Sequence, residues 1–142
     1  MQQRMNDNDV AIVTASDARY LPAACCQLVS TAAHLGGAAN VQLFLVVCDV
    51  SDKDLADARR FFDQRSMPVE IVVPDFVDEI ATVPTARWPR AAYLRLYFDR
   101  LFDERWRRLV YFDADTRVSS SLAPLLNADL KGQPLGAVHD FI

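Results

Sequence analysis

Two carboxylates stand where an apolar run stops: Leu109-Val110-Tyr111-Phe112 leads straight into Asp113-Ala114-Asp115. In an extended backbone, residues two apart leave on the same side. Asp113 and Asp115 are therefore expected to converge, with the small Ala114 leaving room between them. Two like charges brought together call for a cation, and hard carboxylate oxygens suit magnesium or manganese rather than a thiol-seeking metal. Such an ion neutralises a diphosphate and eases its departure as a leaving group. The same residues equally suit a turn in which one carboxylate caps Thr116 or Ser119. A second cluster follows the first apolar run, in Thr14-Ala15-Ser16-Asp17-Ala18-Arg19-Tyr20. Ala15 is small enough for a ligand to approach the backbone, Asp17 suits acceptance from a ribose or base donor, and Tyr20 suits stacking on a ring. Asp17 also suits a helix start, where a carboxylate is favoured by the helix dipole. Arg95, with Arg87 and Arg90, offers forked donors for phosphate. A solvated or salt-bridged arginine is the plainer alternative.

The elements that must position these residues can be read from apolar patterning. Val10–Ala15, Val41–Cys48, Val69–Val73 and Leu109–Phe112 are apolar at nearly every position, with a weaker fifth run from Leu135 to His139. Such runs suit parallel strands covered on both faces. Helical stretches lie between them. Ala23 to Leu35 follows Pro22 and stops at Gly36-Gly37, matching the preference for proline in a first turn and glycine after a last one. Ser51 and Asp54 resemble a capping box, and Leu55, Ala58, Phe61 and Phe62 form one stripe behind it. Ala91 to Phe102 shows a broad apolar face of Tyr93, Leu94, Tyr97, Phe98 and Leu101. Alternating strand and helix predicts an α/β domain with a mainly parallel sheet. In such sheets ligands gather beyond the carboxyl ends of the strands, where both clusters stand. Residues 1–9 are expected to be frayed, and the Pro74–Pro89 stretch is the longest weakly structured piece.

Composition narrows the function. A 142-residue chain with 51% hydrophobic and 24% charged residues suits one globular domain. Its net charge of -4 gives no electrostatic reason for a nucleic-acid partner. No run is long and apolar enough to span a membrane, and MQQRMNDNDV lacks the apolar core of a secretory signal. Cys25, Cys26 and Cys48 match no zinc spacing, and an odd count suits a reducing compartment. A cytoplasmic protein is expected, with peripheral attachment to the inner face of a membrane as a variant of that expectation. Glycine-rich phosphate loops are missing from a sequence with only 4 glycines. Neither His34 nor His139 stands at a metal-ligand spacing with Cys, Asp or Glu, and no Ser–His–Asp or Cys–His arrangement can be argued.

Four pieces, in order, carry a family resemblance: AIVTASDARYLPAACCQLVS, VQLFLVVCDVSDKDLADARRFF, AAYLRLYFDRLF and RRLVYFDADTRVSSSLAPLLNADLKGQPLGAVHD. Together they resemble glycosyltransferase family 8, retaining sugar transferases with a GT-A fold. The resemblance runs from about Val10 to the C-terminus. It implies a GT-A-like, Rossmann-like three-layer domain over 10–142, and transfer of a hexosyl group from a nucleotide sugar, usually a UDP-sugar, to an unknown glycan, lipid or protein acceptor. It also implies a manganese ion, with magnesium as the substitute, held by Asp113 and Asp115. By the same likeness Ala15, Asp17 and Tyr20 form the nucleoside pocket, Arg95 stands beside the diphosphate, and Asp140 lies toward the transferred sugar. Arg19 departs from the asparagine that family members often carry there. Family domains run considerably longer, and their later half supplies a metal-binding histidine and a lysine near the phosphates. Nothing in this chain fills those places, so a partial domain is expected, open at one edge and prone to form a homo-oligomer. A catalytically incomplete nucleotide-binding or assembly module is the alternative.

Overall fold

Four apolar runs form four parallel strands in the computed structural model, which describes residues 10–38, 40–80, 82 and 88–138. They are β1 (Val10–Ser16), β2 (Val41–Val47), β3 (Val69–Val72) and β4 (Arg108–Asp113), in the order β3-β2-β1-β4. All three pairings are parallel. Each strand–helix–strand connection crosses over, so helices come to lie on both faces of the sheet. The expected α/β layout with a mainly parallel sheet is what the chain adopts.

Alternation along the strands divides the core in two. Ile12, Leu43, Leu45, Val47 and Val110 face one side, packed on Leu21, Leu28, Ala58, Phe62 and Leu126. Ala11, Val13, Ala15, Phe44 and Val46 face the other, packed on Phe76, Ile80, Leu94, Phe98 and Phe102. The first layer contains α1 (Leu21–Ala33) and α2 (Asp52–Asp63). Helix α1 carries proline in its first turn, and Ser51 starts α2 with the full reciprocal capping box, Asp54 serving in place of the commoner glutamate. The second layer holds α3 (Val77–Ile80), α4 (Arg90–Tyr93), a 3-10 turn (Leu94–Tyr97) and α5 (Phe98–Leu101). Phe44 anchors it, edge-on to Phe102 at 5.0 Å and to Trp106 at 5.3 Å.

Two expectations are corrected. The single helix expected over Ala91–Phe102 is broken by the 3-10 turn. Its apolar face at intervals of three and four residues is compatible with either helix type over so short a span. Residues 135–138 are not a strand, and Leu135 and Val138 are 78% and 92% exposed. After β4 the chain turns instead into α6 (Ala123–Leu126). The Arg108 guanidinium gathers the carbonyls of Leu125, Leu126 and Ala128 at 3.0, 2.7 and 2.6 Å. Residues 1–9, Arg87, His139 and Asp140 lie outside the described residues. No helix among the described residues is long and apolar enough to cross a membrane.

Candidate functional site

Strand order decides where the site lies. From β1 the chain first builds outward through β2 and β3, then returns to place β4 on the other side of β1. The strand order reverses beside β1, and at such a switch point the carboxyl ends of the neighbouring strands border a crevice. Register brings Ala15 of β1 directly beside Asp113 of β4. The Thr14 hydroxyl donates to the Phe112 carbonyl at 2.7 Å and ties the two strand ends together.

A cavity of about 530 Å³ occupies this crevice. Ala15, Asp17, Tyr20, Arg95, Asp113, Ala114 and Asp115 all line it, together with Ser16, Trp88, Tyr93, Leu96 and Tyr111. Ala15 is buried and forms part of the floor. The carboxylates are exposed on the far wall.

The route by which Asp115 reaches the crevice differs from the expectation. β4 ends at Asp113, and Ala114-Asp115 form a turn closed by the Thr116 amide donating to the Asp113 carbonyl at 3.1 Å. The Thr116 hydroxyl donates to the same carbonyl at 2.7 Å. The turn alternative is thus present in the backbone, yet it uses a carbonyl and leaves both carboxylates uncommitted to capping. Asp113 Oδ1 accepts from the Tyr111 hydroxyl at 3.0 Å and stands 3.5 Å from Arg95 Nη1. Burial first, then the Asp113 charge, pushes the Tyr111 phenol above its ordinary range, so it stays a donor at neutral pH. Arg95 also lies 5.7 Å over the Tyr111 ring.

Asp17 and Tyr20 have local duties as well. The Tyr20 amide donates to Asp17 Oδ1 at 3.1 Å, which is the helix-start role weighed for this carboxylate. Arg19 lies 5.5 Å over the Tyr20 ring, so a ligand ring stacking there must share or displace it. Arg90 takes the salt-bridged alternative. It forks onto Asp49, with Nε to Oδ2 at 3.0 Å and Nη2 to Oδ1 at 2.5 Å. His34 Nδ1 is 2.7 Å from the Ser30 carbonyl at the end of α1. Among the described residues, no group of three or more His, Cys, Asp or Glu side chains is placed to hold a metal.

Sequence reasoning passed over Tyr111, Trp88, Tyr93 and Leu96. Tyr111 carried a signal, since it precedes Asp113 by two on one strand and so shares its face. The others come from the 88–96 segment, which borders the crevice without any local pattern that announces it.

A crevice at the switch point of a parallel sheet is where open α/β domains take their ligands, and here paired acidic residues and an arginine surround it. Residues 11–142 match glycosyl transferase family 8, and the chain belongs to that family. No curated protein matches it by sequence. Solved structures similar to it include the galactosyltransferase LgtC in complex with donor and acceptor sugar analogues, at 20% identity and a TM-score of 0.69 over 84% of this chain and 43% of that one. The apo structure of the bifunctional glycosyltransferase WbbM is similar at 22% identity and a TM-score of 0.65, over 91% of this chain and 22% of that one. The apo form of the glycosyltransferase GlyE from Streptococcus pneumoniae is similar at 17% identity and a TM-score of 0.57, over 86% and 27%. These likenesses establish the shared fold, and the chain spans less than half the length of each.

Proposed function

We propose that the crevice binds the nucleoside diphosphate part of a nucleotide sugar, most simply a UDP-sugar, and that the chain is the donor-binding part of a retaining hexosyltransferase. One observation supports this above the rest. Seven residues that the sequence singles out, from Ala15 to Asp115, line one cavity at the switch point of the sheet. The acceptor is a glycan, lipid or protein hydroxyl.

Each wall has a part in the proposal. Ala15 keeps the floor low, so the nucleoside can approach the β1 backbone. Tyr20 offers its ring to the base, and Asp17, with one oxygen engaged by the Tyr20 amide, offers the other to the ribose. Arg95 exchanges its long contact to Asp113 for the diphosphate, gaining forked charge-assisted hydrogen bonds. Asp140, outside the described residues, is assigned toward the transferred sugar by family resemblance.

The donor set fits a hard divalent cation in kind, since Asp113 and Asp115 offer carboxylate oxygens. In number it is incomplete among the described residues, so diphosphate oxygens must supply further ligands. When bound, manganese or magnesium would neutralise charge on the departing diphosphate. Cation and nucleotide are then expected to bind with mutual dependence.

The same incomplete set favours a second reading, a nucleotide-binding or assembly module without turnover. Calorimetry of UDP with and without manganese, followed by an assay for UDP release from UDP-hexoses, separates the two. Coupled binding with release supports the transferase, and coupled binding alone supports the module. UDP binding that ignores manganese, or no binding, refutes the donor-site reading. Among the described strands β4 is at an edge, with Leu109 exposed on it, and such edges invite pairing. We therefore include self-association in the proposal, and light scattering that shows only monomer would remove it.

A further inference from the structure

Tyr111 and Asp113 are two residues apart on β4 and leave the same face of the strand. The Tyr111 hydroxyl donates to Asp113 Oδ1 at 3.0 Å. Its ring is held by Phe98, with centroids 5.7 Å apart, so the hydroxyl cannot swing away without disturbing the second core. Arg95 reaches the same Oδ1 at 3.5 Å, which is long for a hydrogen bond. No hydrogen bond to Asp113 Oδ2 is found among the described residues. Among the described strands Asp113 ends one at the edge, and it is exposed. Left alone, it would sample several rotamers, and ordering it on ligand binding would subtract from affinity.

We propose that Tyr111 is a positioning residue whose hydroxyl fixes Oδ1 of Asp113 and leaves Oδ2 as the oxygen offered to the ligand. The inference rests on the reading of Asp113 as a ligand for cation and nucleotide. Arg95 is drawn to two partners, the carboxylate and the diphosphate, whereas the hydroxyl is carried on a packed ring. The Tyr111 bond is thus the one that persists when the crevice fills.

Tyr111→Phe removes the oxygen and keeps the ring. Titrating UDP with and without manganese gives a coupling ratio for each protein. That ratio is expected to fall about five- to tenfold in Tyr111→Phe, the scale of one ordinary net hydrogen bond at a partly exposed site. Uridine affinity and melting temperature should match the parent. Phe98→Leu loosens the ring packing and retains the hydroxyl, so it should lower the ratio by less than Tyr111→Phe does, even if it melts earlier. If the parent couples and Tyr111→Phe couples equally, or if Phe98→Leu loses as much, the positioning role is overturned and the donor-site reading stands. A parent with no coupling overturns both.

Discussion

Replacing Asp113 or Asp115 by asparagine keeps the side-chain volume and much of its hydrogen bonding while removing the charge. Without ligand the change should cost little. The Asp113–Arg95 pair spans 3.5 Å with side chains 59% and 48% exposed, and an exposed pair of this kind contributes about 0.2–1 kcal/mol before solvent screening reduces it. Tyr111 can still donate to the amide oxygen. The melting temperature should therefore fall by no more than about 4 °C. Asp115 has no ion pair among the described residues and should cost less. With ligand the arithmetic reverses. Unit charges about 4 Å apart interact by about 4 kcal/mol at an effective dielectric near 20, and a divalent ion doubles that. Solvent in the open crevice takes back most of it. A quarter left over, about 2 kcal/mol, still exceeds a tenfold change in affinity. Calorimetry of UDP with and without saturating manganese, in parent and both variants, reads that difference. An equal manganese effect in all three proteins refutes the reasoning. So does a melting temperature lowered by more than about 8 °C, because the carboxylates would then be serving the fold.

If the proposed role holds, Arg95→Ala should weaken UDP by about tenfold and uridine hardly at all, since charge-assisted bonds to the diphosphate would be lost; equal losses by calorimetry would assign Arg95 to the fold instead. Burial first raises Cys25 to about 11 and Cys48 to about 12 from 9.0. The folded chain holds these protons more tightly than the unfolded one, so their contribution is intact below about pH 9 and declines as pH climbs toward about 11–12. Urea unfolding at about pH 7.5 and about pH 10 should show the drop, and a flat profile would contradict it. The Arg108 fork gathers three carbonyls, a geometry lysine cannot reproduce. Arg108→Lys should cost about 1–3 kcal/mol, read as a lower melting temperature, and an unchanged melt would show that α6 is held by other contacts.

The strands were legible because a parallel strand buried on both faces leaves a continuous apolar run. Val10, Val41 and Val69 begin β1, β2 and β3 where the runs begin. The crevice was legible for a topological reason: residues at or just past the strand ends border it, and Asp113 and Asp17 stand there. What stayed hidden depends on contacts distant in sequence. Arg90 meets Asp49 across 41 residues, and no local pattern announces that pairing. Leu135 and Val138 look like strand residues yet are exposed, because a short apolar stretch specifies a strand only when a neighbour is there to cover it. The Asp113–Asp115 pair was expected to converge through extended geometry, while the chain brings Asp113 to the crevice on β4 and Asp115 through a turn whose backbone bonds close at Thr116.

The hydrogen bond between Thr14 and Phe112 joins residues 98 positions apart, and that separation has a consequence during synthesis. At about 5–20 residues per second, translating the interval takes roughly 5–20 s. Throughout it, β1 is made and can pair with β2, while its other edge waits for β4. That edge belongs to a strand buried from Ala11 to Ser16, so the nascent chain displays an apolar, hydrogen-bond-hungry margin of the kind that templates aggregation. The crevice itself cannot exist before β4 arrives. Any ligand binding there is therefore a late event in biogenesis, and until β4 arrives only a chaperone or another transient cover can protect that margin, because β2 occupies the opposite edge of β1.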